Sequence, residues 1–316
     1  MSLTVTKNTK MSISRILTLC FFVLIVFLMH RNLSEINWQD FKSALYKMSP
    51  GILLPCFSIV ILNFLVLTCF DFLGFRHLKV TFMTYPRVMW SAFCSYVFNL
   101  NIGALVGGVG MRFRIYTGWG VEASTVPKII LFSSLTNLAG HTLLLASIFV
   151  FSTNEIARLI PIPPLGIKFY GYLTASLVIA YLILCYKEYV LRIKEMEYPF
   201  PKLSVAFLQL MLSFSQWSLI SLIIFLLIRH LGGNVTFNEI LLTTLVASVA
   251  GVFAHIPAGL GVIEAIFLQM NFDISNAKLL AALLCYRALY YLIPLLIAIP
   301  AYVSLEAYQK KVSGKV

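Results

Sequence analysis

Charge is the scarcest commodity in this sequence. Of 316 residues, 11% are Asp, Glu, Lys or Arg and 60% are hydrophobic. A soluble domain carries about 25% charged residues, so an ordinary water-soluble fold is excluded. Catalytic signatures are missing as well. There is no H-E-x-x-H, no nucleophile elbow, no acidic metal cluster and no ATP-binding motif. Gly107-Gly108-x-Gly110 lacks the strand–turn–helix setting of a dinucleotide fingerprint. The six cysteines (Cys20, Cys56, Cys69, Cys94, Cys185, Cys285) all lie in apolar runs and none forms C-x-x-C. Zinc needs clustered ligands, so the cysteines read as packing residues, and neither metal nor cofactor is expected.

What the chain has instead is long charge-free stretches: Met48–Phe70, Val88–Met111, Ile129–Asn154, Leu203–Ile228, Ile240–Ile263 and Ala288–Leu305. About 20 apolar residues in a helix span a ~30 Å hydrocarbon core. The fold class is therefore an all-α polytopic membrane protein, a single integral membrane domain over 1–316. A shorter apolar run, Ile16–Met29, follows Lys7, Lys10 and Arg15, as a signal peptide would. No small-x-small cleavage site follows, so it reads as an uncleaved first span with His30 and Arg31 snorkelling. The net charge of +12 reflects basic cytoplasmic loops rather than a nucleic-acid partner.

Lys and Arg concentrate in cytoplasmic loops, which makes the topology calculable. If eight apolar segments all cross with the N-terminus inside, 12 Lys/Arg fall on the cytoplasmic side and 11 on the other. If segments 88–111 and 240–270 each enter and leave on one side, the balance becomes 16 against 7, with only Arg287 left inside a span. The second arrangement is favoured. It predicts six full transmembrane helices plus two re-entrant segments of opposite orientation, with residues 1–15 and 307–316 cytoplasmic. The two re-entrant segments are the ones that hold helix-disfavouring residues: Asn99, Asn101, Gly103, Gly107, Gly108 and Gly110 in the first, Pro257, Gly259 and Gly261 in the second. Broken backbone at membrane depth is tolerated where it is buried in protein or lines a wet cavity, and such a pair is a transporter signature. Between the first two spans, Trp38, Phe41, Ala44, Leu45 and Met48 fall at helical spacing, with Asn37 placed to cap and Asp40 in the first turn. A short amphipathic helix over 34–48, on the outer membrane surface, is expected.

Ionisable residues inside a span are functional candidates by default. Glu264 and Arg287 form either a structural pair or part of a polar cavity that meets substrate, with Tyr290 and Tyr291 one turn after Arg287. Arg112 and Arg114, with Tyr116 nearby, leave the first broken segment toward the cytoplasm. They read as positive-inside anchors or as a phosphate-binding fork. His255 is a packing residue or a proton carrier. Asp71 belongs to an interfacial pair with Arg76 and His77, or to a cytoplasmic substrate mouth. Two polar stripes, Ser133–Asn137–His141 and Gln209–Ser213–Gln216, read chiefly as glue between helices.

Three blocks, "FNLNIGALVGGVGMRFRIY", "HIPAGLGVIEAIF" and "YRALYYLIPLLIA", closely resemble the YbhN-like inner-membrane proteins. These are related to the transmembrane flippase region of lysyl-phosphatidylglycerol synthase. The resemblance covers nearly the whole chain and implies a polytopic bacterial inner-membrane protein with lipid translocation as the relative's activity. Its motif residues fall here on Asn99, Gly107, Gly108, Gly110, Arg112, Arg114, Tyr116, Pro257, Gly259, Gly261, Glu264, Arg287, Tyr290 and Tyr291. The bifunctional relative also carries a soluble domain that transfers lysine from tRNA to lipid. No such domain fits before Val316, so synthase activity is not expected.

Three functions follow. The first is a flippase or headgroup transporter for an anionic or lysylated phospholipid or a lipid-linked molecule. The second is a membrane-embedded transferase or hydrolase on a lipid-linked substrate. The third is a scaffold for a lipid-synthesising partner enzyme.

Overall fold

A computed structural model describes residues 37–158, 162–193, 196–254, 259–270 and 272–313. The first apolar run, Cys20, His255 and Pro257 lie outside the described residues. Helix α1 (Trp38–Tyr46) is short, and Asn37 accepts from the backbone N–H of Gln39 at 3.0 Å at its start. It packs against α11 (Asn276–Arg287). The long helices are α2 (Pro50–His77), α5 (Val126–Phe151), α7 (Pro164–Tyr186) and α8 (Leu203–His230), together with the run formed by α11, a π-helical turn Ala288–Leu292 and α12 (Ile293–Ser313). These are five helical stretches, among the described residues, that are long and apolar enough to cross a membrane. Prolines sit in the first turns of α2, α5 and α7, where a missing N–H costs nothing because no intrahelical acceptor exists for it. The protein is an all-α polytopic membrane protein in its spans. A small antiparallel hairpin, β1 (Val190–Ile193) with β2 (Met196–Pro199), departs from the purely helical expectation.

Two segments double back on themselves. Helix α3 (Tyr85–Ile102) stops at Gly103, whose φ of +107° is open to glycine and strained for other residues. The chain then runs through a π-helical stretch (Ala104–Gly110) into α4 (Met111–Gly118). Gly107 lies so close to the carbonyl of Phe98 that a Cβ there would overlap it. In an unbroken helix nine residues would separate those two by about 13 Å. The hairpin closes at its base, where the Arg87 guanidinium lies over the Trp119 ring at 4.9 Å and Trp119 Nε1 donates to Ser91 Oγ at 3.0 Å.

The second segment runs through α9 (Phe237–Ala254) and returns through α10 (Val262–Gln269), which packs on α9. Asn234 N–H donates to the Asp273 carbonyl at 3.2 Å, so this hairpin also begins and ends at one place. Gly261, in the left-handed region at φ +80°, starts the return arm.

The hairpins are based at opposite ends of the bundle. The first lies where α2 ends. There His77 Nε2 meets the Pro199 carbonyl of the β-hairpin at 3.0 Å, Arg114 pairs with Glu306 of α12, and Trp119 packs on Tyr308. The second lies where α2 begins. There His230 Nε2 meets the Lys47 carbonyl at 3.0 Å, and Asn238 donates to Ser152 and Glu155. Loops 78–84, 119–125 and 187–202 and the end of α12 thus share one end, with loops 152–158, 231–236 and 272–275 at the other. In the β-hairpin, Tyr198 is buried, and burial pushes its phenol above the ordinary tyrosine range.

Because lipid supplies no hydrophobic drive between helices, close packing and hydrogen bonds must hold them. A main core joins α2, α3, α8, α11 and α12 around Phe64, Phe70, Ile224 and Tyr290. A smaller one joins α5, α7 and α9 around Leu144, Ile167 and Leu245. Helices α5 and α8 approach through Gly140, where a Cβ would strike Ser213. Their polar stripes face each other: Gln209 Nε2 donates to Thr136 at 2.6 Å, Ser213 to the Asn137 carbonyl at 3.0 Å, and Tyr181 to Gln209 at 2.5 Å.

Candidate functional site

The charged groups of the membrane region gather in two places, one on each hairpin's return arm. On the second hairpin, Glu264 lies in the first turn of α10, where its carboxylate accepts the Gly261 N–H at 3.0 Å. A carboxylate at this position also faces the positive end of the helix dipole. Arg287, the last residue of α11, binds both Glu264 oxygens, donating through Nη2 at 2.9 Å and through Nε to the other oxygen. The same Nη2 reaches the Gly259 carbonyl at 3.0 Å. The Tyr291 ring lies 5.3 Å from the guanidinium. The two charged side chains are 10% and 12% exposed, so the pair is nearly buried. Asn101, two residues before the turn of the first hairpin, donates to the Tyr291 carbonyl at 3.4 Å. The two hairpins therefore converge on the π-helical turn 288–292. Tyr290 and Tyr291 both pack on Tyr286, but their other contacts differ. Tyr290 OH donates to Asn63 at 2.7 Å and its ring stacks on Phe64, away from Arg287. Asn63 in turn donates to the Gln216 carbonyl at 2.7 Å.

The first hairpin's cluster centres on Asp71, which is fully buried in α2. Arg112 donates to it through Nε at 2.8 Å and Nη2 at 3.4 Å. Tyr96 donates at 3.0 Å, Ser133 at 2.5 Å, and Tyr116 closes the set. The Tyr96 ring covers the guanidinium at 4.3 Å, and Arg112 Nη1 reaches back to the Gly108 carbonyl at 3.4 Å. The sequence left Arg112 as a positive-inside anchor or a phosphate-binding fork, and Asp71 as the partner of Arg76 and His77 or part of a cytoplasmic substrate mouth. The structure instead turns Arg112 inward onto Asp71. Arg76 lies over the Phe72 ring and His77 meets the β-hairpin. The reason is geometric: Arg112 follows the glycine turn on the inner side of the hairpin, whereas Arg76 and His77 are already past the last buried turn of α2.

Arg114 points to the end of the bundle, 65% exposed, and pairs with Glu306 at 2.5 Å. The Asn99 side chain packs on the bare Cα of Gly108. Gly110 has only the Leu105 carbonyl nearby. Sequence reasoning missed Tyr96, Asn63 and Asn101 as members of these clusters. Asn63 could have been found, since it is a lone amide in the otherwise apolar run Met48–Phe70. No cluster of metal-ligating residues occurs among the described residues.

This arrangement sets two satisfied charged clusters among aromatic rings and apolar helices. The family described as the lysylphosphatidylglycerol synthase TM region matches residues 14–298. The inner membrane protein YbhN of Escherichia coli is 33% identical over 305 residues, covering 95% of both chains. An uncharacterised protein of Synechocystis is 28% identical, covering 87% of this chain and 86% of that one. The phosphatidylglycerol lysyltransferase of Staphylococcus haemolyticus is 24% identical over 93% of this chain, which spans 34% of that longer protein. This chain is an integral membrane protein and belongs to the family of the lysylphosphatidylglycerol synthase transmembrane region.

Proposed function

We propose that this protein moves a phospholipid or lipid-linked molecule across a bacterial inner membrane, along the seam where its two hairpins converge. In this reading there are six full spans, the first over Ile16–Met29, and the hairpins 88–111 and 240–270 are re-entrant from opposite faces. Both termini are cytoplasmic, which puts the basic loops 72–87, 112–128 and 187–202 inside. The observation that carries the proposal is the nearly buried Glu264–Arg287 pair at membrane depth, joined through Tyr291 to Asn101 of the other hairpin.

A charged pair is costly at membrane depth and stays only where partners satisfy it. Here Arg287 exchanges Glu264 for the headgroup phosphate of the passing lipid, while Glu264 keeps the Gly261 N–H. Guanidinium suits this exchange because its planar fork binds carboxylate and phosphate alike. Acyl chains remain in the bilayer. Asp71 and Arg112 hold the first hairpin's return arm against α2 and α5 and thereby set one wall of the seam. His255 serves as a proton carrier for coupled transport in this reading. A lipid-synthesising enzyme is the natural partner as supplier of cargo.

Reconstitution of the pure protein with headgroup-labelled lipids tests the reading. Transfer faster than in protein-free vesicles, and slowed in Glu264→Gln and Arg287→Gln, is expected. Transfer no faster than in empty vesicles, across several headgroups and under a pH gradient, overturns it. A lipid product lost from a deletion strain would point to chemistry on the lipid instead.

A further inference from the structure

A recess of about 440 Å³ opens between the base of the first hairpin and the end of α12, remote in sequence from the Glu264–Arg287 pair. Its walls include Arg87, Trp90, Trp119, Ser304, Leu305 and Tyr308. Such a volume is ample for a small ligand or for part of a larger one. Arg87 is half-buried, lies over the Trp119 ring at 4.9 Å, and spends Nη1 on the Phe82 carbonyl at 3.2 Å. Among the described residues, four ion pairs occupy Arg112, Arg114, Arg192 and Arg287. Arg87 is in none of them. It thus brings an uncompensated positive charge, fixed in place by its aromatic neighbour, to the wall of a mainly apolar recess.

The level of the recess in the fold identifies what covers it. Both chains that line it change character there. Arg87 immediately precedes the charge-free run Val88–Met111, and the apolar part of α12 ends at Leu305, ahead of Glu306, Lys310 and Lys311. Trp90, Trp119 and Tyr308 all line the recess, with the Trp119 and Tyr308 rings 5.9 Å apart. Trp and Tyr prefer the boundary between headgroups and hydrocarbon. A ligand seated here meets a guanidinium and a Ser304 hydroxyl on the polar side and Leu305, Ala301 and the indoles on the apolar side.

From this we infer that the recess is a binding site for a phosphodiester lipid, its phosphate on Arg87 and the upper part of an acyl chain along Trp90 and Leu305. The site is separate from the proposed translocation seam and does not depend on transport. It clamps the first hairpin's base to the last helix through a bound lipid. The two elements already meet through the exposed Arg114–Glu306 pair and through Gln309 Nε2, which donates to the Ile115 carbonyl at 2.9 Å; a lipid seated in the recess touches both.

Native mass spectrometry of the purified full chain tests this, with dioleoylphosphatidylglycerol, dioleoylglycerol and inorganic phosphate as separate probes. The wild type retains one phosphatidylglycerol under activation that strips the rest. In Arg87→Gln the retained fraction falls about tenfold, the factor expected for losing one charge-assisted hydrogen bond. Arg192→Gln, the same charge change at an exposed pair, retains it. Ser304→Trp fills the recess from the opposite wall with Arg87 intact, and it too loses the lipid while eluting as a single folded species. Equal retention of phosphatidylglycerol by both recess variants overturns the site. Retention of dioleoylglycerol at the same level reduces it to an apolar groove, and binding of inorganic phosphate alone makes it a site for free anions; either outcome overturns the assignment. Lipid transfer measured on the same variants separates this site from the seam, since loss of the tight lipid with transfer preserved upholds the one without touching the other.

Discussion

Asp71 accepts the Nε–H of Arg112 at 2.8 Å, with the two side chains 0% and 6% exposed. They stand 41 residues apart, and a glycine-rich reversal of the chain brings them together. Removing one partner of such a pair strands the other charge, which costs about 3–5 kcal/mol. Asp71→Asn is therefore expected to lower the melting temperature in detergent sharply. The double variant Asp71→Asn/Arg112→Gln recovers part of the loss. Additive losses in that cycle would show that the two side chains do not act as a pair.

The glycines of the first hairpin differ in what surrounds them, and alanine substitutions should rank accordingly. Gly107→Ala places a methyl on the Phe98 backbone carbonyl, which cannot yield. This is the most damaging of the three, at or above the ~1–3 kcal/mol of ordinary overpacking. Gly108→Ala meets the Asn99 side-chain oxygen at 2.6 Å, a group able to rotate, and is intermediate. Gly110→Ala finds only the Leu105 carbonyl at 3.5 Å and lies at helical φ and ψ, so it is neutral or mildly stabilising. Expression and thermal stability of the three variants check the order; equal effects would contradict the hairpin.

Tyr290 and Tyr291 follow one another yet belong to different environments. Tyr290→Phe removes a buried hydroxyl that serves Asn63, with an expected cost of about 1 kcal/mol and unchanged lipid transfer. Tyr291→Leu removes the ring beside Arg287 and slows transfer with a smaller change in melting temperature. The reverse assignment of effects would place the route on the α2 side of the π turn.

Loop sidedness is open to direct chemistry. Single cysteines replacing Ser124 and Ser275, both exposed and at opposite ends of the bundle, are introduced into a cysteine-free background. In intact cells an impermeant maleimide labels the Ser275→Cys variant and spares Ser124→Cys until the membrane is opened. Labelling of both from outside would rule out the two-hairpin topology.

Much of this architecture was written in the order of residue types. Charge-free runs of about 20 residues belong in a membrane, and a continuous helix through Gly103, Gly107 and Gly108 would be poor, so the breakers mark the segments that do not run straight through. Asn37 reads as a cap because a short amide ahead of an amphipathic run has few other roles. Lys and Arg sort the loops into two groups, which is how the sequence proposes sides for them. Local chemistry and hydropathy act over one or two turns or one span, so a sequence can display them.

Pairings between distant segments were decided only by the tertiary structure. Arg112 abandons the surface for Asp71 because the hairpin folds inward. Tyr290 turns to Asn63 and Tyr291 to Arg287 because successive residues leave a helix on different faces and different helices pack there, and residues 190–199 pair as strands where a loop was expected. The bilayer leaves helices nearly free to rotate and slide against one another, since apolar faces are equally content with lipid. The few polar groups that need partners then choose the arrangement, and those choices depend on every helix at once.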